Sequence, residues 1–134
     1  MNLPVALSKK SSILNTKPVN KNLSKYFKAE LNEANKLITK GDYQKGWYHL
    51  ERAHILGQPY FAAHTLVHWK MLCFGFKIKD TKEIIGQIPR LLVGGIKSFV
   101  GKVPVGNTGG ANVPPLQSME IPDDLKMMIK EGNK

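Results

Sequence analysis

The stretch ERAHILGQPYFAAHTLVH, residues 51–68, decides the fold and holds three of the four histidines of the chain. Spacings of three and four residues place side chains on one face of a helix. Two pairs in the stretch have these spacings: Glu51 with His54, and His64 with His68. Gly57 and Pro59 lie between the pairs, and glycine commonly ends a helix while proline commonly begins one. The stretch therefore predicts a helical hairpin that brings two histidine-bearing faces together.

The size and composition of the chain indicate one ordinary domain. Its 134 residues suffice for a hydrophobic core, and an apolar fraction of 42% is typical of soluble proteins. No apolar run has the length that a membrane-spanning helix needs, and the first residues lack the pattern of a secretory signal. Cys73 is the single cysteine, so an intramolecular disulfide is excluded and a reducing compartment is favoured. We therefore expect a cytoplasmic protein.

The net charge of +10 is concentrated at the N-terminus. Six lysines precede Glu30, the first acidic residue, in a segment rich in serine and asparagine. This composition predicts a disordered basic tail over residues 1–23 and a single helical domain over residues 24–134. Such a tail can contact nucleic acid or an anionic membrane non-specifically, but no sequence signature of a nucleic-acid-binding module accompanies it. We therefore expect no specific nucleic-acid partner and no membrane span.

The first half of the domain predicts three helices. The first runs from Ser24 to Lys40 and stops at Gly41. Asp42 is the expected cap of the second helix. One stripe of this helix carries Tyr43, Trp47, Leu50, Glu51 and His54, while Lys45, His49 and Arg52 face away. The third helix is expected from Pro59 to Phe74, with Gly75 ending it; because it is apolar nearly all round, it should be the most buried element.

The second half is more irregular. Residues 80–83 resemble a capping box that opens a fourth helix, which Pro89 should kink or split before a weakened second half over residues 91–100. Residues 102–115 are rich in glycine and proline, and a short last helix follows Pro122. The sequence thus predicts an all-α fold of two helical hairpins, similar to a tetratricopeptide pair. A short C-terminal helix and an irregular Gly/Pro-rich covering segment complete it.

Three motifs resemble those of a known family. They are the segment from Trp47 to His68, the loop PVGNTGGANV at residues 104–113, and the ending IPxDL at residues 121–125. Together they resemble a small, uncharacterised bacterial family that is a domain of unknown function. Members of that family are at times encoded beside heavy-metal resistance genes, so the resemblance implies a role connected with metals.

The hairpin predicts a metal site between its two helices. Antiparallel pairing about the turn brings four potential ligands together: Glu51, His54, His64 and His68. Three imidazoles with a carboxylate or water suit zinc or iron, and imidazole also suits copper. Met71 continues the histidine stripe and would favour copper(I), whereas Cys73 points to the opposite side. His49 lies off the stripe and is expected to be exposed.

Two alternatives remain open, and a dinuclear site is not expected. The histidines and Glu51 could form a buried structural network in a helical protein-interaction module. A mononuclear metal-dependent enzyme would need an open coordination position and an apolar pocket. A dinuclear site would need further inward carboxylates, and Glu30 alone is available to join Glu51.

The loop Gly106–Gly110 lacks the Lys-Ser/Thr ending of a phosphate-binding loop, so we expect a packed covering turn instead. The candidate pocket residues around it are Trp47, Met71, Asn107, Thr108 and Asn112.

Overall fold

The computed structural model describes residues 18–93 and 105–134, and these residues form an all-α fold, as predicted. Its helices are α1 (Lys21–Thr39), α2 (Tyr43–Gly57), α3 (Phe61–Ile78), α4 (Thr81–Val93) and α5 (Asp123–Gly132). None of the helices described is long and apolar enough to cross a membrane. α2 lies at the centre of the arrangement, in contact with α1, α3 and α5, and α4 packs on α3. The similarity to a tetratricopeptide pair stays a prediction.

The hairpin of α1 and α2 forms as the sequence predicts. Gly41 ends α1 with a φ of +84°, a conformation that glycine adopts without strain. The Asp42 carboxylate then accepts a hydrogen bond from the Lys45 amide at 3.3 Å and caps α2. α1 begins at Lys21, three residues before the predicted Ser24, because the Asn20 side chain accepts from the Asn22 amide at 2.8 Å.

The core lies between α1, α2, α3 and α5. Aliphatic and aromatic side chains from all four helices fill it: Leu23, Phe27, Leu31, Ala34, Leu50, Ala53, Ile55, Leu56, Ala63, Val67, Met71, Phe74 and Leu125. At the α2–α3 turn, a Cβ on Gly57 would lie 2.8 Å from the Phe27 ring and 3.2 Å from Ala63 Cβ. The glycine therefore lets α1 and α3 approach the end of α2 closely.

The prediction that Gly75 ends α3 is wrong. The helix continues to Ile78 and ends at Lys79, which adopts a left-handed conformation with φ of 58°. A Cβ on Gly75 would lie 3.1 Å from Ile84 Cγ1 and 3.3 Å from Ile84 N. Gly75 thus permits close packing of α4 on α3 inside the helix. The prediction that α3 is the most buried element is also wrong, since the face opposite its buried residues is exposed.

α4 begins as predicted, with the Glu83 amide donating to the Asp80 carboxylate at 3.1 Å. The Glu83 side chain does not return to Asp80 and instead contacts Gln87 and the Ala111 amide. The helix runs without interruption through Pro89 to Val93, so no split occurs in the part described. The predicted continuation over residues 94–100 lies outside the described residues.

The expectation that His49 is exposed is wrong, and Arg52, expected to face away from the histidine stripe, is buried. Arg52 Nε donates to Glu30 Oε1 at 2.8 Å and Nη2 to Asp124 Oδ2 at 2.6 Å, while His49 Nδ1 lies 2.6 Å from Glu30 Oε2. Burial lowers the pKa of Arg52, but the hydrogen bonds to Asp124 and Glu30 outweigh it, so the net pKa is raised. α1 and α5 flank α2 here, and Glu30 is committed to this ion cluster rather than to a dinuclear metal site.

Candidate metal centre

Three imidazole rings converge between α2 and α3. The Nε2 atom of His64 lies 2.9 Å from that of His54 and 3.0 Å from that of His68, and the third side of the triangle measures 3.1 Å. The rings are only 1%, 6% and 1% exposed for His54, His64 and His68. The helix spacing predicted from sequence places them correctly: α3 carries two rings one turn apart, and the turn after Gly57 returns them to the third.

The opposite nitrogens of two rings are held by carbonyl oxygens. His54 Nδ1 lies 2.7 Å from the backbone oxygen of Asn107, and His68 Nδ1 lies 2.6 Å from Oε1 of Gln87. A carbonyl oxygen only accepts, so each Nδ1 carries the proton and donates it. In the neutral ring, Nε2 then points a lone pair at the centre of the triangle. This tautomer is the one that binds metal through Nε2.

The three nitrogens lie close enough together to contact one metal ion. With sides near 3.0 Å, the centre of their triangle is about 1.7 Å from each nitrogen, which is shorter than a typical zinc–imidazole bond of about 2.0–2.1 Å. One ion could be held through the Nε2 atoms of His54, His64 and His68, which would supply three imidazole ligands.

The Glu83 carboxylate orients His68 through the side-chain amide of Gln87. Gln87 Nε2 donates to Glu83 Oε1 and to the backbone oxygen of Gly109, the latter at 2.9 Å. These two acceptors fix the amide so that its oxygen faces His68. Glu83, Gln87 and His68 form a chain from a buried carboxylate to the ring, the kind of support that orients metal-binding histidines.

The glycine-rich loop covers the site. The Asn107 side chain donates to Pro114 O at 2.9 Å and Gln117 O at 2.7 Å, and accepts from Gly109 N at 2.9 Å. Gly109 has a φ of +84°, and a Cβ there would lie 2.6 Å from Cδ2 of His54. The loop backbone thus lies directly against the His54 ring, which agrees with the covering role expected from sequence.

Arg90 fixes the loop to α4. Its guanidinium donates to Gly86 O at 2.7 Å, Gly110 O at 3.1 Å and Val113 O at 2.8 Å. Burial lowers the pKa of Arg90, and the negative charge of Glu83 opposes this shift. Three carbonyl acceptors and a nearby carboxylate therefore hold this cation next to the site.

Glu51 lies apart from the triad. Among the residues described, the group of potential ligands whose atoms lie within 4.8 Å of one another consists of His54, His64 and His68. Glu51 Oε1 instead accepts from Trp47 Nε1 at 2.9 Å. Burial raises the pKa of Glu51, the Trp47 hydrogen bond lowers it, and the charge of Glu83 raises it further.

The candidate pocket residues are distributed around the site. Trp47 and Asn112 line a cavity of about 440 Å³, together with Phe74 and Glu83. Met71 is fully buried, and its sulfur lies 3.6 Å from Gln87 Nε2. Asn107 and Thr108 belong to the covering loop.

Neither the sulfur of Met71 nor that of Cys73 is part of the group of three histidines. Met71 contacts the amide that supports His68, and Cys73 is exposed and outside the ligand group.

Sequence reasoning missed the residues that support the ligands. Glu83 and Gln87 are four residues apart on α4, so they share a face, and both are buried there together with Arg90. A carboxylate and an amide at this spacing are a signal that can be read in the sequence. The backbone oxygen of Asn107 gave no such signal, because any residue carries one.

Comparison with known proteins gives a family and no characterised relative. No curated protein matches the chain, and no solved structure matches it. The family described as "Protein of unknown function (DUF3703)" matches residues 21–129. The match spans α1 to α4, the histidine triad, the covering loop and most of α5. The chain therefore belongs to this family of proteins of unknown function.

Proposed function

We propose that the protein binds a single transition-metal ion through the Nε2 atoms of His54, His64 and His68, and that it serves in metal handling or resistance in the bacterial cytoplasm. The observation that carries the proposal is the approach of these three buried nitrogens to within 3.1 Å of one another. The proposed ion would be zinc, iron or copper, the metals that imidazole suits.

The hydrogen bonds of the rings favour a cation over a structural network. His54 and His68 both donate through Nδ1, so in their neutral forms their Nε2 atoms face each other as two acceptors at 3.1 Å. A proton on Nε2 of His64 can serve one acceptor well or both weakly, and the repulsion between His54 and His68 stays. A doubly protonated ring would relieve it only by placing a charge among buried side chains. A metal ion accepts all three lone pairs at once.

The position of Glu51 also speaks against the structural network expected as the alternative. That network needs the Glu51 carboxylate among the histidines, but the carboxylate accepts from the Trp47 indole. The orienting carboxylate is Glu83, which acts on His68 through Gln87. This is an arrangement for fixing a ligand rather than for neutralising a ring.

The donor set favours borderline divalent ions. All three proposed ligands are imidazole nitrogens, which suit Zn²⁺, Fe²⁺ and Cu²⁺. Copper(I) prefers thiolate or thioether ligands, and the Met71 sulfur contacts Gln87 instead.

Elemental analysis of protein purified without a histidine tag tests the proposal. The wild type should hold about one equivalent of metal, and His64→Ala or His68→Ala should lose stoichiometric binding. His49→Ala is the matched control, because His49 bonds to Glu30 and lies outside the triad. A wild type that takes up no metal, or equal loss in the control, would contradict the proposal.

Thermal unfolding gives a second readout. A ligand that binds only the folded state, at about 100 times its dissociation constant, stabilises by about 2.7 kcal/mol. For a domain of this size that corresponds to a rise in Tm of about 10 °C. The rise should shrink toward pH 5, since imidazole must lose its proton to bind metal. If no metal shifts Tm at neutral pH, the site is not a metal site.

A further inference from the structure

α3 is apolar on nearly all sides, yet only part of its circumference is buried. Its inward faces pack on the core and on α4. Its outer face carries Leu66, Trp69, Cys73 and Phe76, at spacings of three and four residues, and all four are exposed. A helix that is hydrophobic all round is normally buried all round, so we expect another surface to cover this outer face.

α4 extends the same surface. Its exposed residues Ile85, Ile88 and Leu92 also follow spacings of three and four. α3 and α4 are joined by a two-residue turn and pack through Gly75 against Ile84. On each helix, the exposed residues lie next to those that face the neighbouring helix, on the side away from the core. The two sets of exposed residues therefore lie side by side on one surface of the hairpin.

We propose that this surface, the outer face of the α3–α4 hairpin, is a dimer interface that pairs with the same surface of a second copy of the chain. The interface residues are Leu66, Trp69, Cys73, Phe76, Ile85, Ile88 and Leu92. Two hairpins packed in this way form a four-helix arrangement with two-fold symmetry, the commonest symmetry of soluble oligomers. The proposal does not depend on the metal site, because His64 and His68 face the opposite side of α3.

The area of the surface matches a dimer. Apart from Cys73, the interface residues are between 41% and 78% exposed. For side chains of these sizes this amounts to on the order of 600 Å² of apolar area, at the upper end of what a monomer ordinarily exposes. A standard interface buries about 800 Å² per partner. The polar rim and backbone of two adjacent helices readily supply the difference.

The charge of the surface also favours self-pairing. The chain carries a net charge of +10, so two copies repel wherever lysines meet. None of the interface residues is charged, and the nearby Lys70 and Lys77 lie at the edge of the surface toward α1, in a groove that Trp69 and Cys73 line together with Leu31 and Asn35. An uncharged apolar surface is complementary to itself, whereas a separate acidic partner would select a surface that contains lysines.

Sedimentation equilibrium of the full chain between about 1 and 200 μM tests the proposal. The wild type should be a dimer over much of this range. In Trp69→Glu and Leu92→Glu the dissociation constant of the dimer should rise on the order of 1,000-fold. Loss of one central contact weakens affinity about 30-fold, and in a symmetric interface each substitution removes that contact twice. Met127→Glu is the matched control, because Met127 is an equally exposed apolar residue on α5. It should leave the dimer unchanged.

Two readouts keep the test decisive. Circular dichroism should be nearly unchanged in all three variants, as each substituted side chain is exposed. Tm should fall in Trp69→Glu and Leu92→Glu, because dimerisation stabilises the folded chain by mass action, and should stay unchanged in Met127→Glu. A short bis-maleimide should link Cys73 of two copies in the wild type and in His64→Ala, but not in Trp69→Glu. A wild type that is monomeric at 200 μM, as it would be if another protein or another segment covered the surface, overturns the proposal. A dimer that persists in Trp69→Glu and Leu92→Glu also overturns it.

Discussion

Replacing Gly109 with alanine tests whether the covering loop fixes the His54 ring. The added Cβ would lie 2.6 Å from Cδ2, 2.7 Å from Cγ and 2.8 Å from Nε2 of His54. These are atoms of a buried ring, not the end of a flexible side chain, so the ring or the loop must move by about 1 Å to restore ordinary contact. A shift of the ring displaces Nε2, one of the three proposed ligands.

The expected cost has two parts. Gly109 has a φ of +84°, where an alanine costs about 1–2 kcal/mol of backbone strain. The clash with the ring adds about 1–3 kcal/mol of overpacking. Gly41→Ala is the matched control, because Gly41 also has a φ of +84° but no atom within 4 Å of its Cβ. The free energy of unfolding of Gly41→Ala should fall only by the part that comes from backbone strain.

Urea unfolding of the metal-free proteins measures this difference, and competition with a chromophoric chelator measures metal affinity. Gly109→Ala should be less stable than Gly41→Ala by about 1–3 kcal/mol and should bind metal about 10–100-fold more weakly than the wild type. Gly41→Ala should bind metal as the wild type does. Equal stability of the two variants, or unchanged metal affinity in Gly109→Ala, would refute the reasoning.

Three further changes test the surroundings of the site and the ion cluster. Gln87→Leu removes the acceptor of His68 Nδ1, so chelator competition should show metal affinity about 10–100-fold lower; an unchanged affinity would mean that Gln87 does not orient the ring. Burial and the charge of Glu83 raise the pKa of Glu51 above its unfolded value. The charged form of Glu51 therefore lowers the stability of the folded protein at neutral pH. This loss of stability disappears as the pH falls through the folded pKa. Glu51→Gln should therefore be slightly more stable at pH 7, by less than about 1 kcal/mol after solvent screening, and urea unfolding should show no such advantage at acid pH. The Arg52 hydrogen bond lowers the pKa of Asp124, whose contribution is present above the unfolded pKa and is lost as pH falls through the folded one. Asp124→Asn should be less stable at neutral pH and lose less stability on acidification, and equal pH profiles of variant and wild type would contradict this.

The sequence predicts most of the helices because their signals are local. The stop at Gly41, the caps at Asp42 and Asp80, and the start of α5 after Pro122 each depend on residues within one helical turn. Gly75 misled the prediction because glycine has two uses, ending a helix and admitting a neighbouring one. Only the approach of Ile84 shows which use applies here.

The sequence by itself also determined which histidines meet, since the helical period aligns His64 with His68 and the Gly57–Pro59 turn returns α3 toward His54. Tertiary structure decided the rest. The partner of His68 Nδ1 is 19 residues away and that of His54 Nδ1 is 53 residues away, and Glu30, Arg52 and Asp124 pair across three helices. The physical reason is that helical spacing fixes which side chains share a face, whereas the packing of whole elements fixes what each face meets.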